Sequence, residues 1–568
     1  MGSPSPFNSS DSLATELWRH SNPSSTRMYE FKEIVNKKYG LKLKTYDDLY
    51  RWSIENIAEF WEETWWFTGI RVEKGFEKVV DKNAPITLGV KPHDRVAGFV
   101  GNHTNTVVAM LAATSIGAIW TGVSPDTGAA AVLDRLVQIE PVVLFADNGV
   151  EYNGRLHESL SKAREIVKEL KGLERLIIFD TVDLPVEVEG FAFENGKAVT
   201  YEEFLKRAAI QTNEYTVSSP NTRLQKFSAA DPDAPLKFTQ LEPSHPIYIL
   251  YSSGTTGKPK CIIHSALGTL IQHKKEHILH CDIRPGDRLF YFTTCTWMMW
   301  HWLVSGLASG TTIILYDGSP FKPHAHLSMP LLIEELKITH FGTIHVGEIQ
   351  VPTLGMSLLA YSPSGQPVPA GTPGDLVCIA PFPSQPTTFF NSGDPRVGDQ
   401  KYFASYFEQF PGVWHHGDFI RFSPDTGGIY MLGRSDGILK PSGVRFGSAE
   451  IYNVLLKHFG VEIEDALCIG RRRPTDDDET VVLFVKMSGA RVLTAELENR
   501  IKLLIRKELS ARHVPGVVDQ CYEIPVTANG KKVETVVKQI LCGMEGAVGA
   551  SVANRECLDW YREWAGRC

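Results

Sequence analysis

Short apolar runs recur along the chain up to about Gly433 and alternate with longer amphipathic stretches. The runs are rich in β-branched and aromatic residues and predict buried strands at 94–100, 142–146, 175–179, 246–251, 261–264 and 312–316. Two of the stretches between them, 105–119 and 154–170, predict helices. Strands that alternate with helices favour an α/β domain with a mostly parallel sheet.

The pattern differs at both ends of this region. Residues 1–25 are rich in Ser, Asn and Pro and predict a flexible N-terminal segment, whereas 28–69 predicts helix with a tryptophan cluster suited to core packing. Beyond Gly433 the pattern predicts a compact α+β unit with helices and strands at 448–459, 466–470, 480–486 and 494–509. We therefore expect a large domain over 26–432 and a small domain over 433–568.

A loop rich in Gly, Ser, Thr and Lys separates the strands predicted at 246–251 and 261–264. The residues that carry this chemistry are Ser252, Ser253, Gly254, Thr255, Thr256, Gly257 and Lys258. Glycines free the backbone, and hydroxyl, N–H and ammonium groups can turn toward a polyanion. Pro259 follows Lys258 and a strand follows Lys260, so the segment is not a Walker A loop, which needs Gly-Lys, Ser or Thr and then a helix. The pattern predicts a different kind of phosphate-binding loop.

Length and composition narrow the class of protein. A chain of 568 residues exceeds one hydrophobic core, and a net charge of −8 argues against nonspecific nucleic-acid binding. Nine cysteines without CxxC spacing predict reduced thiols in the cytosol. No apolar run approaches the roughly 20 residues of a membrane span. We therefore expect a cytosolic protein with no membrane or nucleic-acid partner.

One helical stretch offers possible metal ligands. His273, His277 and His280 lie at i, i+4 and i+7, a spacing that could place them on one helix face for a metal ion. The charged residues between them favour an exposed amphipathic helix instead. No metal ligand is assigned from the sequence.

Several motifs together carry a family resemblance. Tyr251–Lys260 resembles the nucleotide-phosphate signature of the acyl-adenylate-forming (AMP-dependent synthetase/ligase) enzymes. The segments 46–52, 297–300, 412–418, 433–445, 527–531 and 549–554 are similar to the acetoacetyl-CoA synthetase (acetoacetate–CoA ligase) family within that superfamily. The resemblance implies a large multi-layer adenylate-forming domain and a small mobile α+β domain, hinged near 433–440.

The resemblance also implies roles for individual residues. Together with the loop 252–258, Asp418, Arg434 and Arg445 are expected to bind ATP. Lys531 would be the catalytic lysine of adenylation, with Lys532 beside it as an alternative. Asp436 would be the hinge, Ser442 and Arg506 would contact coenzyme A, and an acyl pocket is expected beside Trp297, Met298, Met299 and Trp300.

These roles imply a two-step ligase. Acetoacetate would attack Mg²⁺–ATP to give an acyl-adenylate and pyrophosphate, and the thiol of coenzyme A would then displace AMP after the small domain turns. An acetate or other short-chain acyl-CoA synthetase is the alternative within enzymes. The expected partners are these small molecules, and no oligomeric state is assigned.

The chain departs from the family at two places. Family residues are missing near 84–88, in the first subdomain, and at 343–344, where the resemblance implies an adenine-binding segment and a threonine–acid motif for phosphates and magnesium. Loss of central strands exposes far more core than the ~5–15 kcal/mol of a domain's stability can offset. Skipped exons or splicing explain such a loss better than a rearranged active enzyme, so a noncatalytic remnant that binds nucleotide or a partner at most is the competing hypothesis.

Overall fold

A computed structural model describes most of the chain. The described residues are 20–70, 90–152, 154–191, 193, 196–212, 238–252, 259–342, 348–349, 351–391, 395–435, 439, 441, 446–527, 532–544 and 552–567. The predicted flexible segment at 1–25 falls mainly outside these residues, as does most of the polar connection that leads into the strand at 246.

The first described region is helical, as the sequence predicts, but it is divided into three helices. These are α1 (Arg27–Tyr39), α2 (Tyr46–Glu55) and α3 (Ile57–Phe67). α2 begins with a capping box, in which Thr45 and Asp48 each satisfy the other's backbone N–H. Phe31 and Phe60 are completely buried between these helices, so the aromatic residues here do form a core.

Strands and helices then alternate, which confirms the predicted α/β class. The elements up to residue 212 are β1 (Arg95–Phe99), α4 (Thr104–Ser115), β2 (Ile119–Val123), α5 (Ala129–Ile139), β3 (Val143–Asp147), β4 (Gly149–Tyr152), β5 (Arg155–Glu158), α6 (Leu160–Glu169), β6 (Arg175–Phe179), β7 (Lys197–Thr200) and α7 (Tyr201–Thr212). The helix predicted over 154–170 is wrong in its first part, because 155–158 pairs with 149–152 in a hairpin.

The next segment continues the alternation as far as residue 342. It contains β8 (Pro246–Ser252), β9 (Lys260–Ser265), α8 (Ala266–Lys275), β10 (Arg288–Tyr291), α9 (Met298–Ser305), β11 (Thr312–Ile314), α10 (Ser328–Glu335) and β12 (His340–Gly342). A π-helical turn, Glu276–His280, extends α8. The exposed amphipathic helix predicted here is wrong, because His273, Lys275 and His277 are all buried.

The rest of the large domain is mainly antiparallel. Its elements are β13 (Glu348–Ile349), β14 (Leu358–Tyr361), β15 (Gly374–Cys378), β16 (Thr388–Phe389), α11 (Pro395–Tyr406), β17 (Trp414–Phe422) and β18 (Ile429–Arg434). The order β13-β18-β17-β15-β14 forms a sheet that we call the antiparallel sheet.

Two further sheets organise the large domain. The main sheet has the order β16-β9-β8-β2-β1-β3-β6-β7, parallel from β8 to β7 and antiparallel at β9 and β16. A short parallel sheet has the order β11-β10-β12. Helices cover both faces of the main sheet, and two hydrophobic clusters fill the space beneath them. This is the layered α/β arrangement that the strand and helix pattern predicts.

The small domain is built on a sheet of the order β19-β20-β21. Its elements are α12 (Ser448–Phe459), β19 (Ile463–Arg471), β20 (Thr480–Met487), α13 (Ala495–Glu508), β21 (Val517–Cys521), α14 (Glu534–Leu541) and α15 (Cys557–Arg567). α12 and α13 cover one face of the sheet, and α14 and α15 cover the other. The predicted α+β class of this unit is confirmed.

Candidate active site

The predicted phosphate loop follows directly after β8. β8 lies beside β2 in parallel and pairs with β9 in antiparallel, so that Ser252 is opposite Lys260. The loop between these two residues therefore begins at the carboxyl end of a parallel strand, the place where α/β sheets bind ligands. Ser253, Gly254, Thr255, Thr256, Gly257 and Lys258 lie outside the described residues. The strands that flank the loop match the prediction.

The described end of the loop offers a free polar atom and an inert thiol. Ser252 Oγ is buried and has no hydrogen-bond partner among the described residues. Burial raises the pKa of the Cys261 thiol to about 12, against a smaller lowering by Arg135. The thiol is therefore protonated at neutral pH, and a hydroxyl is the group here that could meet a ligand.

Aromatic side chains connect this loop to the antiparallel sheet. Lys260 Nζ donates a hydrogen bond to Ser405 Oγ (2.8 Å) and lies 5.8 Å from the ring centre of Tyr406. Tyr406 stacks on Trp414 with ring centres 3.9 Å apart. Burial raises the pKa of Tyr406 to about 12, with a further rise from Tyr402. These contacts bring the start of β9 and the start of β17 to one place.

Asp418 and Arg434 are brought together by strand register. Asp418 of β17 is directly opposite Arg434 of β18, and Arg434 Nη1 donates to Asp418 Oδ1 (3.2 Å). Cross-strand neighbours of this kind hold side chains close enough for an ion pair. The sequence predicts both residues for one site, and the structure places them side by side.

A glycine makes room for this pair. Gly417 has a φ of 85°, and a Cβ at this position would lie 2.9 Å from Arg434 Nη2. Any other residue would strain the backbone and push the guanidinium away from Asp418. The glycine before Asp418 thus leaves room for the guanidinium in the position that it has beside Asp418.

His416 is a member of this site that the sequence did not assign. His416 Nε2 is 3.4 Å from Asp418 Oδ2, and its Nδ1 accepts a hydrogen bond from Trp414 Nε1 (3.2 Å). Trp414, His416 and Asp418 alternate along β17, so all three side chains lie on one face of the strand. That period of two in the segment 412–418 was the signal that could have identified Trp414 and His416. The partner on α11, Tyr406, had no comparable signal.

The residues expected at the acyl pocket divide into two groups. Trp300 is completely buried, and its Nε1 donates to Asn102 Oδ1 (2.8 Å). Asn102 in turn donates to the carbonyls of Thr293 and Tyr316, which ties α9 to the ends of β10 and β11. Met298 is exposed, whereas Trp297 and Met299 are partly buried. Of these four side chains, those of Trp297, Met298 and Met299 are therefore at least partly accessible to a ligand.

In the small domain the structure describes one of the two neighbouring lysines, Lys532. Lys532 Nζ donates to the carbonyl of Ala466 (2.7 Å), forms an ion pair with Asp465 (2.5 Å) and lies 4.1 Å from the ring centre of Tyr452. The ammonium group of Lys532 is thus engaged by neighbouring groups of the small domain, and the assignment of Lys531 as the catalytic lysine stays a prediction. Arg506 is exposed on the last turn of α13. Asp436, Ser442, Arg445 and Lys531 itself lie outside the described residues.

The fold and this arrangement define the class of the protein. A family profile described as "AMP-binding enzyme" matches residues 86–346. That range includes the main sheet from β1 to β9 and the predicted phosphate loop. The protein is an enzyme of the AMP-binding, adenylate-forming class.

Individual relatives define the family more closely. Malonamoyl-CoA synthetase of Penicillium aethiopicum is 41% identical over 97% of this chain and 92% of its own length. Acetoacetyl-CoA synthetase of Danio rerio is 35% identical over 96% of each chain. The solved structure of acetoacetyl-CoA synthetase from Streptomyces lividans has a TM-score of 0.78 and 29% identity, and the match covers 96% of this chain and 98% of that one. The chain belongs to the acetoacetyl-CoA synthetase family, whose members are AMP-forming acid–CoA ligases.

These alignments are longer than the chain itself. The alignment with the Penicillium protein runs over 706 residues, whereas this chain has 568. The relative therefore contains residues that have no counterpart here. The positions near 84–88 and at 343–344 stay a prediction for where those residues are missing.

No helix in the described part of the chain combines the length and apolar character needed to cross a bilayer.

Proposed function

We propose that this chain is an ATP-dependent ligase that joins a short acid with a β-carbonyl group to coenzyme A through an acyl-adenylate. Acetoacetate is the substrate named for the Danio and Streptomyces relatives. The observation that carries the proposal is the Asp418–Arg434 pair beside His416, joined through Trp414 and Tyr406 to the start of β9.

The large domain would hold the nucleotide. A carboxylate such as Asp418 can accept hydrogen bonds from both ribose hydroxyls, and Arg434 would then turn from the carboxylate toward the phosphates. Hydroxyls and N–H groups of the loop 252–258, beginning with the buried Ser252 Oγ, would hold the departing pyrophosphate. Arg445 would add a second guanidinium to the phosphates.

The small domain would supply the groups that change between the two steps. Lys531 would bridge the acyl and phosphate oxygens during adenylation, because a cation there meets developing negative charge. Rotation about Asp436 would then remove Lys531 and bring Ser442 and Arg506 to coenzyme A.

Magnesium would enter with ATP, on the phosphates. Within the described residues, no group of three or more His, Cys, Asp or Glu side chains is arranged for a metal ion. A nucleotide-bound Mg²⁺ is held mainly by phosphate oxygens and waters, with one or two protein carboxylates. The ion would neutralise phosphate charge while the protein groups orient the reactants.

The names of two kinds of relative, malonamoyl-CoA synthetase and acetoacetyl-CoA synthetase, narrow the choice of acid substrate. Malonamate differs from acetoacetate only by an amino group in place of the terminal methyl group. A pocket that accepts one accepts the shape of the other, and a single hydrogen-bond partner would decide between them. We therefore place malonamate beside acetoacetate, with acetate and other simple short-chain acids behind both.

The noncatalytic alternative also has an observation in its favour. Within the described residues β12 has a neighbouring strand on one side only, and Phe341 on this strand is 41% exposed. An uncovered aromatic at a parallel-sheet edge is unusual, because parallel sheets are normally buried. The remnant hypothesis follows if adenine binding requires the residues that would cover this edge.

The state of the cysteines bears on the cellular location of the protein. All the cysteines in the described part of the chain are free, and most of them are buried. Disulfide-free cysteines of this kind are typical of a reducing compartment. We propose the cytosol.

Pyrophosphate exchange tests the catalytic proposal. The 568-residue chain should exchange pyrophosphate into ATP only with a β-carbonyl acid present, and Lys531→Ala should lower the rate by ~10²–10³. Lys507→Ala, an exposed lysine on α13, is the matched control and should behave as the unchanged chain. Thioester formation from supplied acyl-adenylate should survive Lys531→Ala. Exchange by Lys531→Ala at the unchanged rate would contradict the assignment.

A panel of acids separates the remaining functions. Acetoacetate, malonamate, acetate and butyrate should be compared by kcat/KM in the same exchange reaction. Exchange that is fastest with acetate would reject the β-carbonyl proposal. A folded chain that binds ATP but exchanges with none of the four would support the remnant.

A further inference from the structure

The small domain holds two functional segments whose described ends have the same construction. Leu439 and Phe446 form an antiparallel bridge at the ends of the segment that contains Ser442 and Arg445. Val526 and Lys532 form a second antiparallel bridge at the ends of the segment that contains Lys531. The described residues at the two ends of each segment thus pair with each other, and we call each pair the base of its segment.

A helix begins directly after each base. α12 starts at Ser448, two residues beyond Phe446, and α14 starts at Glu534, two residues beyond Lys532. The two helices lie on opposite faces of the small-domain sheet. Contacts between the first turns of α12 and α14 therefore connect the two segments.

One carboxylate makes those contacts. Glu534 Oε1 accepts hydrogen bonds from Ser448 Oγ (2.8 Å) and from Tyr452 OH (2.6 Å). Both donors belong to α12, whereas Glu534 is the first residue of α14. A single oxygen of α14 therefore accepts from two residues of α12.

Tyr452 extends this link to the sheet and to the second base. Its hydroxyl accepts a hydrogen bond from the backbone N–H of Cys468 on β19 (2.8 Å), and Lys532 Nζ lies 4.1 Å from its ring centre. Lys532 is itself fixed to Ala466 and Asp465 at the start of β19. Tyr452, on the helix that follows the first base, therefore contacts Lys532 of the second base.

We infer that Glu534 is a positioning residue that fixes the base of the Ser442–Arg445 segment relative to the base of the Lys531 segment. This inference rests on the proposed function for its catalytic consequence. A ligase that presents two surfaces in turn needs both to move as one rigid unit. If the bases could shift independently, the rotation that withdraws Lys531 would not place Ser442 reproducibly.

Three variants separate this role from a general loss of stability. Glu534→Ala removes the shared acceptor, whereas Glu534→Gln keeps an oxygen that can accept both hydroxyl hydrogens. Tyr452→Phe removes one donor and keeps the ring over Lys532. Glu496→Ala, an exposed residue at the start of α13, is the matched control.

Hydrogen exchange on the full chain is the first measurement, because it does not depend on activity. In Glu534→Ala, amides at 446–448 and at 532–533 should both exchange faster, while those of β20 keep their protection. Glu534→Gln and Glu496→Ala should match the unchanged chain, and Tyr452→Phe should show a partial effect. Unchanged exchange at both bases, or faster exchange at one base alone, would overturn the inference.

Kinetics of the two half-reactions give the second measurement. Glu534→Ala should lower kcat for pyrophosphate exchange by up to ~10²-fold, the effect of a misplacement of about 1 Å, with KM for ATP nearly unchanged. Added to Lys531→Ala it should cause no further loss in exchange, because it acts through that lysine. An additive loss would contradict the positioning role. If the unchanged chain has no activity, the proposed function fails, whereas the hydrogen-exchange result still decides the structural link.

Discussion

The small-domain sheet and the short sheet of the large domain have the same number of strands in the described residues but are covered very differently. Helices lie on both faces of β19-β20-β21, and Val482, Leu483 and Phe484 of its central strand are all completely buried. On β11-β10-β12 the central strand is buried as well, with Leu289 exposed by 2% and Phe290 by 0%, but Phe341 on the edge strand β12 is exposed by 41%. The two sheets therefore differ in how their edge strands are covered.

Exposed apolar side chains occur in both regions, but three of those in the large domain lie in one stretch between two strands of the short sheet. Phe321, Leu327 and Leu331 lie between β11 and β12 and are exposed by 64%, 50% and 42%. Large apolar side chains that are exposed within one short stretch normally mark a surface that another element covers. The comparison teaches that the sheet nearer in sequence to Lys531 is well covered, whereas the sheet that ends just before the predicted gap at 343–344 has an exposed edge.

The largest expected effect is on the complete sheet. Phe484 has its ring centre 5.1 Å from that of Tyr561 and 4.9 Å from that of Trp564. Phe484→Ala should therefore reduce the free energy of unfolding of the small domain by ~3–5 kcal/mol. Urea unfolding followed by hydrogen exchange on β20 measures this. A loss near zero would mean that the small domain is not the better packed of the two regions.

The C-terminal tail should contribute the next effect. Asn554 accepts a hydrogen bond from the N–H of Val526 (2.9 Å) and donates to the carbonyl of Ile524 (2.8 Å). Asn554→Ala leaves these backbone groups unpaired and should cost ~1–3 kcal/mol. Asn554→Asp keeps the acceptor for Val526 and should recover part of the loss. Equal losses in both variants would show that the tail is held by its helix alone.

The sequence predicted the small domain more accurately than the large one, for a physical reason. The predicted helices 448–459 and 494–509 match the structure closely, because each has one polar and one buried face. The predicted strands 466–470 and 480–486 match as well, because they are short apolar runs that lie buried in the centre of the domain. The tail helix α15 was not predicted. Its burial depends on aromatic contacts to Phe484 that are distant in sequence.

In the candidate site, too, residues in local motifs were predicted, whereas contacts between residues far apart in the sequence were not. Asp418 and Arg434 were predicted from motifs, but their contact depends on the register of β17 and β18. Tyr406 belongs to the site because α11 packs across that sheet, which no local pattern encodes. The buried character of His273 and His277 was missed for the opposite reason, since the charged residues around them suggested exposure.

Acid should weaken the large domain before the small one. His273 and His277 lie on α8 and its π-helical turn, His301 lies on α9, and burial lowers the pKa of each to about 3. Their unfolded pKa is about 6.5. The unfolded state therefore binds more protons than the folded state below pH 6.5, and stability falls as pH falls from 6.5 toward 3.

A histidine variant measures this difference. At pH 5 each of these histidines should cost ~1–2 kcal/mol relative to pH 7. His277 packs against Trp302 with ring centres 4.2 Å apart, so His277→Phe keeps an aromatic ring and should remove one such contribution. Hydrogen exchange on β10 at pH 7 and pH 5, with β20 as the internal reference, measures how much stability is lost between the two pH values. Equal acid sensitivity of both strands would contradict the prediction.

The smallest effect on stability tests whether the exposed stretch is a true apolar surface. Phe321→Glu changes a side chain that is 64% exposed and should alter the free energy of unfolding by no more than ~0.5 kcal/mol. It should nevertheless reduce self-association, since a charge within an exposed apolar surface opposes contact between copies. Leu456→Glu is the matched control. Leu456 is 70% exposed on α12, but this helix covers a sheet that has helices on both faces. Light scattering against concentration should fall for Phe321→Glu and stay unchanged for Leu456→Glu. The same response from both would mean that exposure of single side chains, rather than the uncovered short sheet, governs association.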